Sequence, residues 1–168
     1  MKKYFPILSV LILIIFFAQY YSCIKRSSMF EEQKLLDRQI LASDIRTSVE
    51  QLKNKDIQVL DFRSIARFSW EKLYIFIPYT SEKSIKSILS INHSWGLGTT
   101  VDTNNGVVFI VFVRKGEIVQ SLDYFRSDGD FSSLVNTDQL PIAYAEFTYE
   151  HAQFTQNKEG DFIWVGGP

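Results

Sequence analysis

The sequence predicts an α+β fold: an N-terminal membrane-targeting segment and a helix, then a mainly antiparallel sheet with one or two packed helices. Three observations point there. An apolar run follows two lysines at the start of the chain, and a stretch without Gly or Pro occupies residues 27–53. Beyond residue 70, short β-branched and aromatic runs are separated by turn signals at Asn105-Gly106, Lys115-Gly116, Asp128-Gly129 and Glu159-Gly160. Helical composition first and turn-punctuated strands afterwards is the pattern of an α+β chain rather than of repeated βαβ units.

Lys2 and Lys3 precede the apolar run at residues 7–18 (ILSVLILIIFFA), the layout of a charged region followed by an apolar stretch of about 7–15 residues that directs export. Residues 1–23 are therefore read as a signal or lipoprotein peptide or a membrane anchor. Ser22-Cys23 at the end of the run resembles the lipobox of bacterial lipoproteins, which are cut before a cysteine whose thiol takes a diacylglycerol. That resemblance makes Cys23 the lipidation site, although Tyr20 and Tyr21 stand where the family has leucine and a small residue. The other reading is an uncleaved anchor. Residues 4–23 as a helix would span roughly 30 Å, with Tyr4, Tyr20 and Tyr21 at the two interfaces. Lys25 and Arg26 put positive charge on the far flank as well, so the positive-inside rule leaves orientation open.

Residues 24–43 are read as a juxtamembrane helical linker and 44–168 as a single α+β domain. Met29, Leu36 and Ile40 share one helical face, whereas Leu41, Ile45, Val49 and Leu52 share another, about half a turn away. With Ser43-Asp44 as a plausible N-cap at the shift, the helix is expected to break or bend near residues 41–44. A short helix or turn is expected at 61–67. Residues 72–77 (KLYIFI) read as a buried strand stopped by Pro78. Thr80 or Ser81 should cap a helix whose Ile85, Ile88 and Leu89 lie on one side. Residues 107–113 (VVFIVFV) are apolar on both faces and belong in the middle of the sheet. Lys115-Gly116 turns the chain into a partner strand at 117–125. Residues 145–154 alternate as one half-exposed strand, and a final hairpin turns at residues 158–160 into 161–165.

Composition excludes several function classes. The chain carries 18 Lys and Arg against 19 Asp and Glu. Setting aside Lys2, Lys3, Lys25 and Arg26 leaves 14 basic against 19 acidic residues, near −5 for the domain. Nucleic acid is not an expected partner, because phosphate binding needs a basic face. Cys23 is the only cysteine, so no intramolecular disulfide or cysteine-based zinc site can form. With 46% hydrophobic residues, including 14 Phe and 8 Tyr, the domain has enough side-chain area for a core without metals.

The run Phe68-Ser69-Trp70-Glu71-Lys72-Leu73-Tyr74-Ile75-Phe76, followed by Pro78-Tyr79-Thr80, resembles the signature F-x-W-D-x-x-Y-I-F-x-P-Y-T of a family of small exported bacterial proteins and lipoproteins with no assigned activity. The likeness extends to a Lys-Gly-like turn and to Gly129-Asp130-Phe131, over roughly residues 68–165, with Glu71 where the family more often has Asp. It implies export and a shared fold, and no catalytic chemistry.

Candidate chemistry is sparse. His151 falls in register with Phe147 and Tyr149 on the apolar side of its expected strand, and His93 lies in a loop beside Trp95. Either histidine could join Asp102, Asp128 or Asp130 in a hydrolytic site only if the fold unites them. No G-x-S-x-G turn is present. Asp102-Thr103-Asn104-Asn105-Gly106 has a calcium-loop flavour, but its glycine comes a residue early and no glutamate closes the loop. Asp128-Gly129-Asp130 is explained by turn chemistry, and Gly96-Leu97-Gly98 lacks the strand and third glycine of a dinucleotide loop. Trp70, Trp95 and Trp164 with the Tyr-rich strands could floor a binding surface, and of these Trp70 is expected in the core beside Tyr74 and Phe76. Trp95, with His93, is the expected binding surface.

These readings name no catalytic residue, cofactor or metal. They describe a membrane-tethered protein of the bacterial cell envelope, at the cell membrane or outer membrane with its domain on the extracytoplasmic side. Its expected partners are the membrane and another envelope protein, which it would bind as an assembly factor, inhibitor or immunity-type protein. The alternative is a small envelope hydrolase using His93 or His151 with an Asp.

Overall fold

The structure, a computed structural model, describes residues 5–91, 96–136 and 143–165, and within the first helix the side chains of Phe17, Gln19, Tyr20, Tyr21, Lys25, Met29 and those from Glu32 onward. The chain forms two compact units, Met1–Gln39 and Ile40–Pro168. The first unit is described as helix from Phe5 onward, part of α1 (Phe5–Lys53). Tyr20, Tyr21, Met29, Leu35 and Leu36 are exposed on it, and Gln33 donates to Asp37 Oδ1 one turn on at 2.7 Å. Among the described residues no helix is long and apolar enough to cross a membrane.

In the second unit the end of α1 buries Leu41, Ile45, Val49 and Leu52, a stripe spaced to stay on one helical face. The break expected at residues 41–44 is absent, because α1 is uninterrupted to Lys53. Asp44 does not cap a new helix: its carboxylate meets Arg67 at 3.1 Å, and its carbonyl accepts from Ser48 Oγ. The shift in apolar phase marks where the helix starts to cover a core. Before it, apolar side chains such as Leu36 are exposed, so no single face had to be kept.

The other elements are β1 (Leu60–Asp61), α2 (Phe62–Ile65), β2 (Lys72–Phe76), α3 (Glu82–Ile88), β3 (Val107–Arg114), β4 (Glu117–Phe125), β5 (Tyr144–Thr148), β6 (Gln153–Gln156) and β7 (Phe162–Trp164). They form α+β architecture with two antiparallel sheets rather than the one expected, in the orders β4-β3-β2-β5 and β1-β6-β7. β3 is interior, as its two-sided apolar run requires, and Val107 through Val113 are all buried. Lys115 and Gly116 turn β3 into β4 with φ of 52° and 77°, the left-handed pair of a tight hairpin turn that follows strand twist. Lys115 N–H donates to Glu71 Oε2 at 2.9 Å, which gives Glu71 a structural task. Ser81 caps α3 by accepting from Ser84 N–H.

The four-stranded sheet is apolar on both faces. One face (Leu73, Ile75, Val108, Ile110, Phe112, Leu122) joins the α1 stripe and the inward residues of the small sheet, Phe154 and Phe162. The other (Tyr74, Phe76, Val107, Phe109, Val111) packs with Ile85 and Leu89 at α3 and with Val101. Trp70 is buried as expected, but against Phe112 and Tyr149, with ring centroids at 5.4 and 4.9 Å. It belongs to the first core, whereas Tyr74 and Phe76 belong to the second. Tyr74 and Phe76 share one side of β2, as alternation requires, whereas Trp70 lies before the strand begins at Lys72, so strand alternation does not hold it to their side.

The single strand expected at 145–154 is two. β5 pairs with β2, a 3-10 turn at Tyr149–His151 lifts the chain off that sheet, and β6 joins the small one between β1 and β7. His151 consequently sits exposed in the turn, not in register with Phe147 on an apolar side.

Asp61 locks the small sheet to α2. It caps α2 by accepting from Arg63 N–H, takes a two-pronged contact from the Arg63 guanidinium and accepts from Gln153 on β6 at 2.9 Å. Burial alone would raise this carboxyl, but the hydrogen bonds from Arg63 and Gln153 outweigh it and hold the pKa below the ordinary 3.8. A lowered folded value means the stabilisation is complete above the unfolded value and is lost as pH falls through the folded one. Asp61→Asn should therefore cost about 1–2 kcal/mol at pH 7. Urea midpoints of the two proteins should converge in strong acid, and a constant gap would refute the assignment.

Candidate functional site

Two end strands frame a cleft of about 400 Å³, lined by β5, Leu134, Asn136, His151 and Trp164. β5 ends the larger sheet and β7 ends the smaller. The floor is aromatic. Phe147 meets Phe154 edge-on at 4.8 Å and Trp164 at 6.3 Å. Trp164 is 43% exposed, yet fixed: its Nε1 donates to the His151 carbonyl at 2.6 Å, and its ring meets the His151 imidazole edge-on at 6.2 Å. An exposed indole with its polar handle satisfied offers apolar area at little entropic cost.

The rim is polar. Thr148 Oγ1 and His151 Nδ1 lie 3.1 Å apart. Glu146 takes Lys72 from the neighbouring strand at 2.5 Å, and this hydrogen bond raises the lysine pKa. Burial, and then the Glu146 charge, raises the Tyr74 phenol on the same face. These shifts come from structural pairing and do not prepare a group for proton transfer.

The sequence-expected residues scatter. His93 and Trp95 lie outside the described residues, and so does the side chain of Cys23. Asp128 is held by Arg46 at 2.6 Å, and Asp130 by Arg126 at 2.6 Å while it caps the turn at Phe131–Leu134. For Asp130, burial raises the pKa but Arg126 and Ser132 bring it below the usual carboxylate value. Asp102 is exposed in a turn. No described contact joins His151 to any of these carboxylates. Among the described residues no group of three His, Cys, Asp or Glu is placed to hold a metal ion.

A second, larger hollow of about 580 Å³ lies between the end of α1 and the last hairpin, lined by Leu52, Lys53, Lys55, Ile57, Asn157 and Val165 among others. Its polar groups serve the fold itself. Lys53 donates to the Asp128 carbonyl, Gln156 to Gly160 O and Asn157 to Asp161 Oδ2. The β5 cleft is the better site because a run of main-chain groups faces it. Sequence reading missed it, since the cleft exists only once residues 145–154 divide between two sheets; a tryptophan in the last expected hairpin, Trp164, was the one legible signal.

Comparison with protein-family profiles, with characterised proteins and with solved structures gives no match.

Proposed function

We propose that this chain is a membrane-tethered protein of the bacterial envelope whose domain binds another envelope protein without catalysis. The observation that carries the binding reading is the β5 cleft: a fixed, half-exposed tryptophan and a phenylalanine floor between two sheet edges, the composition that favours protein contacts over small polar substrates. The tether rests on sequence, on Lys2-Lys3 before the apolar run at 7–18 and on Ser22-Cys23 after it. The likeness of residues 68–80 to an exported family supports the same location.

Two experiments test the parts separately. The full chain should stay with membranes after a high-salt wash, since salt screens charge but not apolar insertion; release by salt alone would remove the tether. Fatty-acid labelling of wild type against Cys23→Ser then distinguishes a lipoprotein, labelled only with the cysteine, from an anchor. For the cleft, a photoreactive phenylalanine analogue replaces Thr148 or, as a control, exposed Arg114. A discrete crosslinked partner from position 148 alone is expected, and equal patterns from both positions would refute the site.

A further inference from the structure

We infer that the β5 edge captures its partner by strand addition, and that the partner supplies an extended segment with a basic residue opposite Glu146 and apolar residues over Phe147 and Trp164. This rests on the protein-binding reading and specifies its chemistry. The register gives the edge its direction. β5 pairs with β2 through Leu73↔Phe147 and Ile75↔Ala145, and Tyr149 N–H donates to Glu71 O in the same phase at 2.9 Å. In an antiparallel ladder the bonded pairs alternate, so Ala145 and Phe147 spend their main-chain groups on β2. Tyr144, Glu146 and Thr148 then turn theirs to the other side, into the cleft. No described strand pairs there. Donors and acceptors repeating every second residue are matched by another extended main chain, and by few other ligands.

Side chains define that chain further. Tyr144 and Glu146 project to the face shared with Lys72 and Tyr74, whereas Phe147 projects to the face of Phe154 and Trp164. An added strand would therefore alternate too, with apolar groups beside Phe147 and Trp164 and polar ones beside Glu146. A second copy of this chain fits poorly. Antiparallel pairing centred on the edge would set Glu146 against Glu146, and like charges directly opposite one another are unfavourable. A charged residue on an end strand is a common guard against self-pairing. A lysine or arginine on a different chain would share the Glu146 carboxylate with Lys72.

The test uses the full chain in detergent micelles and, as probe, a blocked heptapeptide alternating valine and threonine around a central lysine. Binding should slow hydrogen exchange at the amides of Tyr144, Glu146 and Thr148. In an added strand only alternate peptide amides face β5. N-methylation of that set should weaken binding about tenfold or more, while methylation of the other set leaves it unchanged. Glu146→Gln should weaken the lysine peptide about threefold and leave a threonine-centred peptide unaffected. Binding that tolerates methylation in both phases would overturn strand addition. So would slowing of these amides without peptide as protein concentration rises, which would mean that a second copy takes the edge. If no peptide binds but position 148 still crosslinks a partner, strand addition fails and the binding-module reading stands; if neither occurs, both fail.

Discussion

Phe112→Ala is expected to destabilise the domain by about 3–5 kcal/mol, the range for truncating a fully buried aromatic whose surroundings relax only in part. The Phe112 side chain is fully buried. Its ring meets Phe62 at 6.0 Å, Phe68 at 5.2 Å and Trp70 at 5.4 Å, so one truncation removes three aromatic contacts from the core beneath α1. Trp70→Ala should cost a similar amount. The double variant should cost less than the two together, because the residues touch and share one cavity. Trp70 also carries a buried Nε1 without a described partner, and Trp70→Phe, which removes that donor and keeps most ring area, should cost clearly less than Trp70→Ala. Ile163→Ala, at a side chain 46% exposed, should stay within about 0.5 kcal/mol. Urea melts of the full chain in mild detergent give all five values. A cost under about 1 kcal/mol for Phe112→Ala would mean that the core is not organised around this ring.

Most single elements were legible in the sequence because each is set by local physics. β3 is apolar on both faces, which only an interior strand tolerates; Pro78 ends β2; Ser81 has the hydroxyl that caps α3; Lys115-Gly116 supplies the left-handed pair that a two-residue hairpin turn needs. What failed to show was anything that depends on which strands pair. Residues 145–154 alternate well enough for one strand, and nothing local says that the chain must leave the sheet at Tyr149. That departure creates the second sheet, exposes His151 and opens the cleft.

The α1 break failed for a related reason. Periodicity implies a single apolar face only where a helix is covered along its whole length, and α1 has an exposed part and a covered part with no need to agree. For the site, the tryptophan of interest proved to be Trp164, fixed through its indole nitrogen to the His151 carbonyl, a contact formed across the turn and hairpin that separate the two residues in sequence. Asp128 and Asp130, named from the sequence as possible partners of a histidine, are tied to Arg46 and Arg126, charges 82 and 4 residues away. Only the second of these could have been guessed from spacing.

Ile45→Asp should abolish cooperative folding of the domain at neutral pH, while Leu36→Asp on the same helix should change stability by no more than about 0.5 kcal/mol. Both positions are apolar and helical, so propensity separates them little. Burial separates them. Ile45 is fully covered and Leu36 is 49% exposed. An aspartate at 45 loses the isoleucine packing and places a carboxylate among Leu41, Val49 and the core they cover, where no cation is described to compensate it. The combined cost, above about 4 kcal/mol, approaches the whole stability of an ordinary domain. The pH dependence gives a second signature. Burial raises the pKa of the introduced carboxyl in the folded state, so its penalty is full above that raised value and shrinks as pH falls and the group becomes neutral. Ile45→Asp should therefore regain part of its melting transition near pH 4–5, whereas Ile45→Asn, equally polar but without a titrating group, should not. A normal melt for Ile45→Asp at pH 7, or an equal loss for Leu36→Asp, would show that the stripe from Leu41 to Leu52 does not cover the core.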